Sequence, residues 1–158
     1  MVDVERAQSV LVDLLAKMGF DAKVEVHEDE ERITLEVKTP DSALIIGKKG
    51  QTLDALQTLM LLLLRQEDAE AAARAGKPVV VDAEGYRARR IDTLVDMATR
   101  LAAKALASNR AVELEQMSAY DRRIVHGAVG AIAGVTSRSE GDGKDRRLLI
   151  VPDPTKVV

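Results

Sequence analysis

Two glycines enclosing two lysines stand between two apolar helical segments, and this stretch strongly limits what the chain can fold into. Gly47, Lys48, Lys49 and Gly50 directly precede a helical run whose apolar residues extend over 53–64. The glycines permit a sharp turn and a close approach by another chain. The first N–H groups of the following helix, together with its dipole, favour an anion. With two lysine charges added, the local chemistry suits a phosphodiester backbone.

Two other interpretations of this GKKG loop (residues 47–50) must be considered. A glycine turn between two helices, with solvated lysines at its tip, would have the same sequence. A nucleotide-phosphate loop requires four residues between its glycines and a Lys-Ser/Thr pair at its end. Here two residues separate the glycines and Gln51 follows Gly50, so the nucleotide loop is excluded. The choice between a plain turn and a phosphate site depends on the rest of the chain.

The composition excludes several classes of site. The 158 residues contain no cysteine, and the only histidines, His27 and His126, are far apart, so we predict no metal site and no cofactor. The longest apolar run, 59–64, is far below the roughly 18 residues needed to span a bilayer. Because the N-terminus is acidic and amphipathic, it does not resemble a signal peptide. We therefore expect a cytoplasmic protein without membrane insertion.

Charge and aromatic content limit how nucleic acid could be bound. The net charge is −3, but residues 1–46 carry 11 acidic and 5 basic side chains, whereas residues 122–158 carry 4 acidic and 7 basic ones. This distribution favours local anion sites over a basic coat. The three aromatic residues, Phe20, Tyr86 and Tyr120, are too few for a sheet that stacks bases on its rings.

Apolar periodicity predicts the order of elements in the first half. The predicted elements are a helix over 4–18, strands over 23–28 and 32–38, a short helix capped by Asp41 or Ser42, the GKKG loop, a helix over 51–65 and a strand over 78–82. Residues 67–77 are Ala-rich and charged, and either continue the helix or form an exposed extension. This order, with the loop between two helices, resembles the type II KH fold.

The second half is predicted to form another α/β unit. We predict a helix over 86–108, strands over 111–117, 135–138 and 147–151, and a helix that follows a capping box made by Ser118 and Asp121. Arg87, Arg89 and Arg90 crowd the first turn of helix 86–108, where the helix dipole opposes cations, and this conflict suggests a partner or an anion.

Arg122 and His126 are one helical turn apart on the same face. An isolated pair of this kind can be an exposed ion pair or cap contact. Its chemistry also suits RNA, because arginine forks onto a phosphate and imidazole can donate to one or stack. The run Arg122-Arg123-Ile124-Val125-His126 resembles the signature of the Arg-three-His (R-3-H) domain, a small binder of single-stranded nucleic acid.

The two halves together resemble the Jag (SpoIIIJ-associated) family of bacterial RNA-binding proteins. The matching stretches are 46–57, 81–90, 117–126 and 137–141, in the family's order. The resemblance implies an α+β protein with a type II KH domain over 1–82 and an Arg-three-His domain over 83–158. Many members carry an additional N-terminal Jag module, which we expect this chain to lack because it begins at the first KH helix.

The resemblance also implies a function. We expect a non-catalytic protein that binds single-stranded RNA, controls cell elongation and division after transcription, and pairs with a small single-KH protein or with itself. The expected RNA-binding residues are Ile45, Ile46, Gly47, Lys48, Lys49 and Gly50 in the first module, and Arg122, Arg123, His126, Arg146 and Arg147 in the second.

Two other classes of function compete with RNA binding. In an enzyme, His126 could act as a general base in RNA cleavage with Arg122 steadying the phosphate. However, we find no set of nucleophile, base and orienting group in the sequence. In a protein–protein adaptor, the KH surface would dimerise, and the acidic first third is a poor surface for RNA.

Overall fold

The computed structural model describes residues 4–67 and 77–156. The chain forms two compact units, Met1–Arg87 and Ala88–Val158. Most of the Ala-rich segment 67–77 lies outside the described residues. Among the helices of the described part, none is long and apolar enough to cross a bilayer.

The first unit has the predicted order of elements. Its elements are α1 (Val4–Lys17), β1 (Lys23–Glu28), β2 (Ile33–Lys38), α2 (Ser42–Ile46), a 3₁₀ turn (Lys48–Gly50), α3 (Gln51–Glu67) and β3 (Val79–Ala83). The strands form one sheet in the order β1-β2-β3, in which β1 is antiparallel and β3 parallel to β2. Apolar residues of α1, α3 and all three strands form its core.

The outer edge of β3 is covered by side chains. The Gln57 amide donates from Nε2 to the Val79 carbonyl (2.8 Å) and accepts from the Val81 N–H (2.6 Å), in the manner of a further strand. Arg87 Nε donates to the Val81 carbonyl at 2.8 Å. The Asp82 carboxylate accepts from the Ala83 N–H at 2.8 Å. An edge strand normally exposes such groups, and here they are satisfied within the unit.

The second unit contains two long helices and a sheet. Its elements are α4 (Tyr86–Ser108, of which the first two residues fall in the first unit), β4 (Val112–Glu113), α5 (Ala119–Gly130), β5 (Val135–Glu140), a 3₁₀ turn (Gly143–Asp145) and β6 (Arg147–Pro152). The sheet order is β4-β6-β5, and both neighbouring pairs are antiparallel. One apolar face of α4 and one of α5 pack in its core.

Two local predictions are corrected by the structure. The strand predicted over 111–117 is wrong for most of its length, because only Val112 and Glu113 form β4. The Leu114 N–H still bonds the Leu148 carbonyl (2.9 Å), after which the chain leaves the sheet to start α5. Asp41 precedes α2 but makes no side-chain cap bond, since its backbone (φ −95°, ψ 27°) lacks the extended geometry of a capping residue.

One of the two hydrogen bonds of the predicted capping box forms. Ser118 Oγ accepts from the Asp121 N–H at 3.0 Å, which fixes the start of α5 as predicted. The Asp121 carboxylate instead accepts from Arg90 Nη2 of α4 at 2.7 Å. Arg90 is one of the three arginines in the first turn of α4. Its charge is therefore balanced by a carboxylate of its own unit, without a partner molecule or an anion.

Candidate nucleic-acid interface

The GKKG loop joins α2 to α3 through an unusual backbone. Gly47 has φ 70° and ψ −172°, a combination essentially restricted to glycine, and Gly50 has φ 82°. Lys49 between them is left-handed at φ 54°. The Lys48 and Lys49 side chains are both exposed. The loop therefore presents two cations on a backbone whose shape is set by its glycines.

Close neighbours explain why both positions are glycine. A Cβ at residue 47 would stand 2.8 Å from Thr52 Cβ, and one at residue 50 would stand 2.6 Å from Tyr86 Cε1. Such distances require a neighbour to move. The Gly47 N–H also donates to the Ala43 carbonyl at 3.0 Å. Because that amide is engaged, the lysine side chains are the groups best placed to meet an anion.

The two isoleucines before the loop have different environments. Ile45 is fully buried (0% exposed) in the core of the first unit, so it has no surface with which to touch a base. Ile46 is partly buried and packs against the same core. Of the two isoleucines predicted to bind RNA, Ile46 is thus the one that can reach a ligand, and Ile45 can act only by supporting it.

An ion pair lies beside the loop. Arg87 Nη1 donates to Asp54 Oδ1 in the first turn of α3 at 3.0 Å, and about half of the Asp54 side chain remains exposed. The Arg87 N–H donates to Asp82 Oδ1 at 3.2 Å. The Arg87 guanidinium, which the sequence places against the helix dipole, is therefore held by the Asp54 carboxylate and the Val81 carbonyl, while Asp82 binds the Arg87 backbone N–H.

In the second unit, an open depression of about 400 Å³ gathers most of the predicted site. Its lining residues come from α5, β5 and the segment before β6: Ala119, Arg122, Arg123, His126, Ser139 and Arg146. Three guanidinium groups and one imidazole thus face the same space, and none of the six is a carboxylate. Such a surface is suited to a phosphate or another anion.

Hydrogen bonds orient two of these side chains. Arg122 Nη1 donates to the Met117 carbonyl at 2.9 Å, so the guanidinium is tied to the segment before its own helix. His126 Nδ1 lies 2.5 Å from Ser137 Oγ of β5. Both contacts use one edge of the functional group, and other donor atoms remain for a ligand.

Ion pairing distinguishes the arginines of the second unit. Arg90 pairs with Asp121, Arg138 with Glu140, and Arg147 with Glu113. The hydrogen bond to Glu113 raises the pKa of the Arg147 guanidinium. Arg147 is also not among the residues lining the depression, so its environment differs from that of the other predicted arginines.

The arginines that line the depression differ from these in having no carboxylate partner among the described residues. Of the carboxylates in the described part of the chain, none pairs with Arg122, Arg123 or Arg146. Three unpaired cations within one depression repel one another unless an anion is present. This arrangement is the strongest indication of a ligand in the second unit.

Sequence reasoning missed several participants. Ser137 and Ser139 belong to β5, and Ser137 is 9% exposed in the buried phase of that strand, which it shares with Val135. A polar residue at a buried strand position was the available signal. Tyr86 and Thr52 pack against the loop glycines, and only the local packing reveals them. In the described part of the chain, no group of three or more acidic, His or Cys side chains could hold a metal ion.

Two domain families match the chain in the predicted order. Residues 5–82 match the KhpA/KhpB KH domain, and residues 92–152 match the R-3-H domain. The type II KH order seen in the first unit and the Arg-three-His motif seen in the second agree with these matches. The fold predicted from the sequence is confirmed.

Several curated relatives are similar over most of the chain. RNA-binding protein KhpB of Clostridium symbiosum is 37% identical over 133 residues, which cover 84% of this chain and 58% of that protein. The KhpB of Bacillus subtilis (strain 168) is 32% identical over 149 residues, covering 93% and 69%. That of Lactiplantibacillus plantarum is 29% identical over 140 residues, covering 89% and 42%. The chain thus spans between about two fifths and two thirds of these relatives.

Proposed function

Because the chain belongs to the KhpB (Jag) family, in which a KH domain is followed by an R-3-H domain, we propose that it is a non-catalytic protein that binds single-stranded RNA. The proposed modules are residues 1–82 and 83–158. The observation that carries the proposal is the depression whose Arg122, Arg123 and Arg146 have no carboxylate partner among the described residues.

The KH module contributes the first contact. Lys48 and Lys49 would neutralise phosphates of about four nucleotides, while Gly47 and Gly50 let the strand approach the backbone closely. Ile46, which is partly buried beside the loop, would meet a base.

The R-3-H module contributes the second contact. Arg122 and Arg123 would fork onto phosphate oxygens, since a guanidinium matches that geometry with two parallel hydrogen bonds. His126 and Arg146 would complete the same anion site. Arg147 is a weaker candidate because it already binds Glu113.

Two weak contacts on one strand reinforce each other. Once one module is bound, the other meets the strand at a high effective concentration, so removing either should cost more than its own share of affinity. The resemblance to the Jag family supports a further proposal, that the bound RNAs are transcripts controlling cell elongation and division. The site of action would then be the cytoplasm.

A second candidate function is a protein–protein adaptor that associates through its KH surface, either with a second copy or with a small single-KH protein. The supporting observation is an apolar strip on α3. Leu59, Leu62 and Leu63 are 47%, 49% and 38% exposed and lie on one side of that helix. Sedimentation equilibrium of Leu59→Glu/Leu62→Glu should then give a lower mass than the wild type. Leu44→Glu, at an exposed leucine outside the strip, should not change the mass.

Fluorescence anisotropy with a labelled single-stranded RNA of about 20 nucleotides tests RNA binding. The wild type should lose affinity steeply between about 50 and 200 mM salt. Both Lys48→Ala/Lys49→Ala and Arg122→Ala/Arg123→Ala should reduce the slope of log affinity against log salt by about 1.4, since each phosphate contact contributes about 0.7 on single strands. Circular dichroism should first establish that each variant is folded.

Charge-matched variants serve as controls. Lys17→Ala/Lys23→Ala removes two exposed charges from the first unit, and Arg100→Ala/Arg110→Ala removes two from the second. Neither should change the slope by more than about 0.3. A wild type that binds no RNA at about 150 mM salt, or site variants that behave as their controls do, would overturn the proposal. Shortened RNA products that disappear in His126→Ala would instead indicate an enzyme.

A further inference from the structure

A buried hydroxyl lies directly behind the imidazole of the depression. His126 projects from α5, and its Nδ1 is 2.5 Å from Ser137 Oγ on β5. Ser137 is 9% exposed, whereas its strand neighbours Thr136 and Arg138 are exposed. Its backbone pairs with Ile150 of β6, so the hydroxyl is carried by a paired strand of the sheet.

We propose that Ser137 is a positioning residue, which turns His126 Nε2 toward the ligand and keeps that nitrogen a hydrogen-bond donor whether or not the imidazole is charged. The proposal rests on the proposed RNA function, because it assigns the way in which one side chain of that site meets a phosphate. It adds a residue that does not line the depression itself.

The chemistry follows from the two kinds of imidazole nitrogen. In a neutral ring, one nitrogen donates and the other accepts, and the bond made by one decides the role of the other. When the Ser137 hydroxyl donates to Nδ1, the proton is on Nε2, which can then donate to a phosphate oxygen. When the ring is charged, Nδ1 donates and Ser137 Oγ accepts. A serine hydroxyl can rotate to do either. If a neutral ring donated from Nδ1, however, the buried Ser137 hydroxyl proton would have no acceptor among the described residues, so donation from Ser137 to Nδ1 is favoured.

The charged groups around His126 explain why a neutral hydrogen-bond donor is favourable there. The charged groups facing His126 are Arg122 and Arg123 of α5 and Arg146 before β6, and the residue contributed by β5 is the neutral Ser139. An anion site already holding three positive charges gains a further donor from a neutral ring without gaining a fourth charge. Without Ser137, a neutral ring could adopt the tautomer that presents a lone pair to the phosphate, which would repel it.

Nuclear magnetic resonance of ¹⁵N-labelled histidine tests the tautomer directly. The chain has two histidines, and the other one, His27, has a 64% exposed side chain on β1 and serves as an internal reference. At about pH 8, where imidazoles are largely neutral, the wild type should carry the His126 proton on Nε2. Ser137→Ala should give a mixture of tautomers, Ser137→Thr should retain the wild-type pattern, and the His27 signals should be unchanged in both.

RNA affinity supplies the second measurement. One lost hydrogen bond corresponds to about a threefold to tenfold loss, which Ser137→Ala should show at about pH 8. At a pH low enough for the ¹⁵N spectrum to show both His126 nitrogens protonated, the loss should be below about twofold, since a charged ring donates from both nitrogens. Ser137→Thr should bind as the wild type does at both values, because it retains a hydroxyl.

The outcomes separate this inference from the proposed function. If Ser137→Ala binds RNA as the wild type does at both pH values while Arg122→Ala/Arg123→Ala binds weakly, the positioning role is wrong and RNA binding stands. If neither variant weakens binding, the RNA site itself is wrong. Should Ser137→Ala fail to fold, a wild-type spectrum with the proton on Nδ1 would still overturn the inference.

Discussion

The GKKG loop and the depression of the second unit both present cations, yet they are built by opposite means. In the loop, the backbone is unusual, since Gly47 and Gly50 adopt positive φ. Its charges are the side chains of two exposed lysines. In the depression, the charges come from α5 and from the segment before β6, both of ordinary backbone, and hydrogen bonds hold Arg122 and His126 in place.

If both places bind anions as proposed, one depends on backbone conformation and the other on supporting side chains. A site shaped by the backbone should be sensitive to any added Cβ and tolerant of exchange between its cations. A site shaped by side chains should be sensitive to the loss of supporting partners, including ones that never touch the ligand. Three substitutions examine this comparison, in order of decreasing effect.

The largest effect is expected from Gly47→Ala. The new side chain would need a backbone conformation essentially restricted to glycine, at φ 70° and ψ −172°, and would crowd Thr52. We expect the free energy of unfolding of the first unit to fall by about 3–4 kcal/mol. Urea unfolding followed by the fluorescence of Tyr86, in a Tyr120→Phe background, reports that unit alone because the chain has no tryptophan.

Gly19→Ala is the matched control. Gly19 also has a positive φ of 86°, but nothing lies within 4 Å of a Cβ built there. Only the left-handed conformation is penalised, at about 1–2 kcal/mol. If the two variants lost equal free energies of unfolding, the packing around Gly47 would add nothing to the cost of a side chain there. The loop would then not be a site that depends on its backbone conformation.

The next effect is expected from Asp121→Ala. Asp121 is 4% exposed and binds Arg90 at 2.7 Å, so its removal leaves a largely buried guanidinium without its carboxylate at the start of the helix that bears Arg122 and His126. We expect a loss of about 2–3 kcal/mol, somewhat below the usual figure for a fully buried pair because part of Arg90 is exposed. Unfolding followed by Tyr120 in a Tyr86→Phe background measures it.

An exposed pair of the same unit provides the reference. Glu140→Ala breaks the pair with Arg138, whose side chains are both more than half exposed, and should cost less than about 0.5 kcal/mol. If Asp121→Ala were as mild as Glu140→Ala, the start of α5 would not depend on its buried pair.

The smallest effect is expected from single arginines. Arg123→Ala should weaken RNA binding about fivefold to tenfold, because it removes one charge-assisted contact from the depression. Arg138→Ala removes an exposed arginine that is already paired with Glu140, and should change affinity less than about twofold. Anisotropy titrations at one fixed salt concentration compare the two, and equal losses would mean that total charge, rather than the depression, determines affinity.

Local signals were enough to predict the element order and much of the site. The bounds of β1 and of the helix Tyr86–Ser108 follow directly from periodicity, and the spacing of Arg122 and His126 places both at the same depression. The fold could be predicted because apolar phase and glycine position are properties of short stretches.

The remainder depended on contacts distant in sequence. The burial of Ile45, the bond between His126 and Ser137, and the diversion of the Asp121 carboxylate to Arg90 each join residues of different elements. The strand predicted over 111–117 was too long, because alternation in Val112 and Leu114 cannot tell how far a partner strand extends. No single-sequence pattern specifies such pairings.

The covered edge of β3 affects how neighbouring copies of the protein can associate. If several copies bind along one RNA, as the proposed function implies, their sheets come to high local concentration, where an open strand could serve as a template for another. Gln57, Arg87 and Asp82 occupy the outward groups of residues 79, 81 and 83 with hydrogen bonds that an incoming strand would have to displace. On that side of the sheet, the occupied groups oppose strand-to-strand pairing between neighbouring copies.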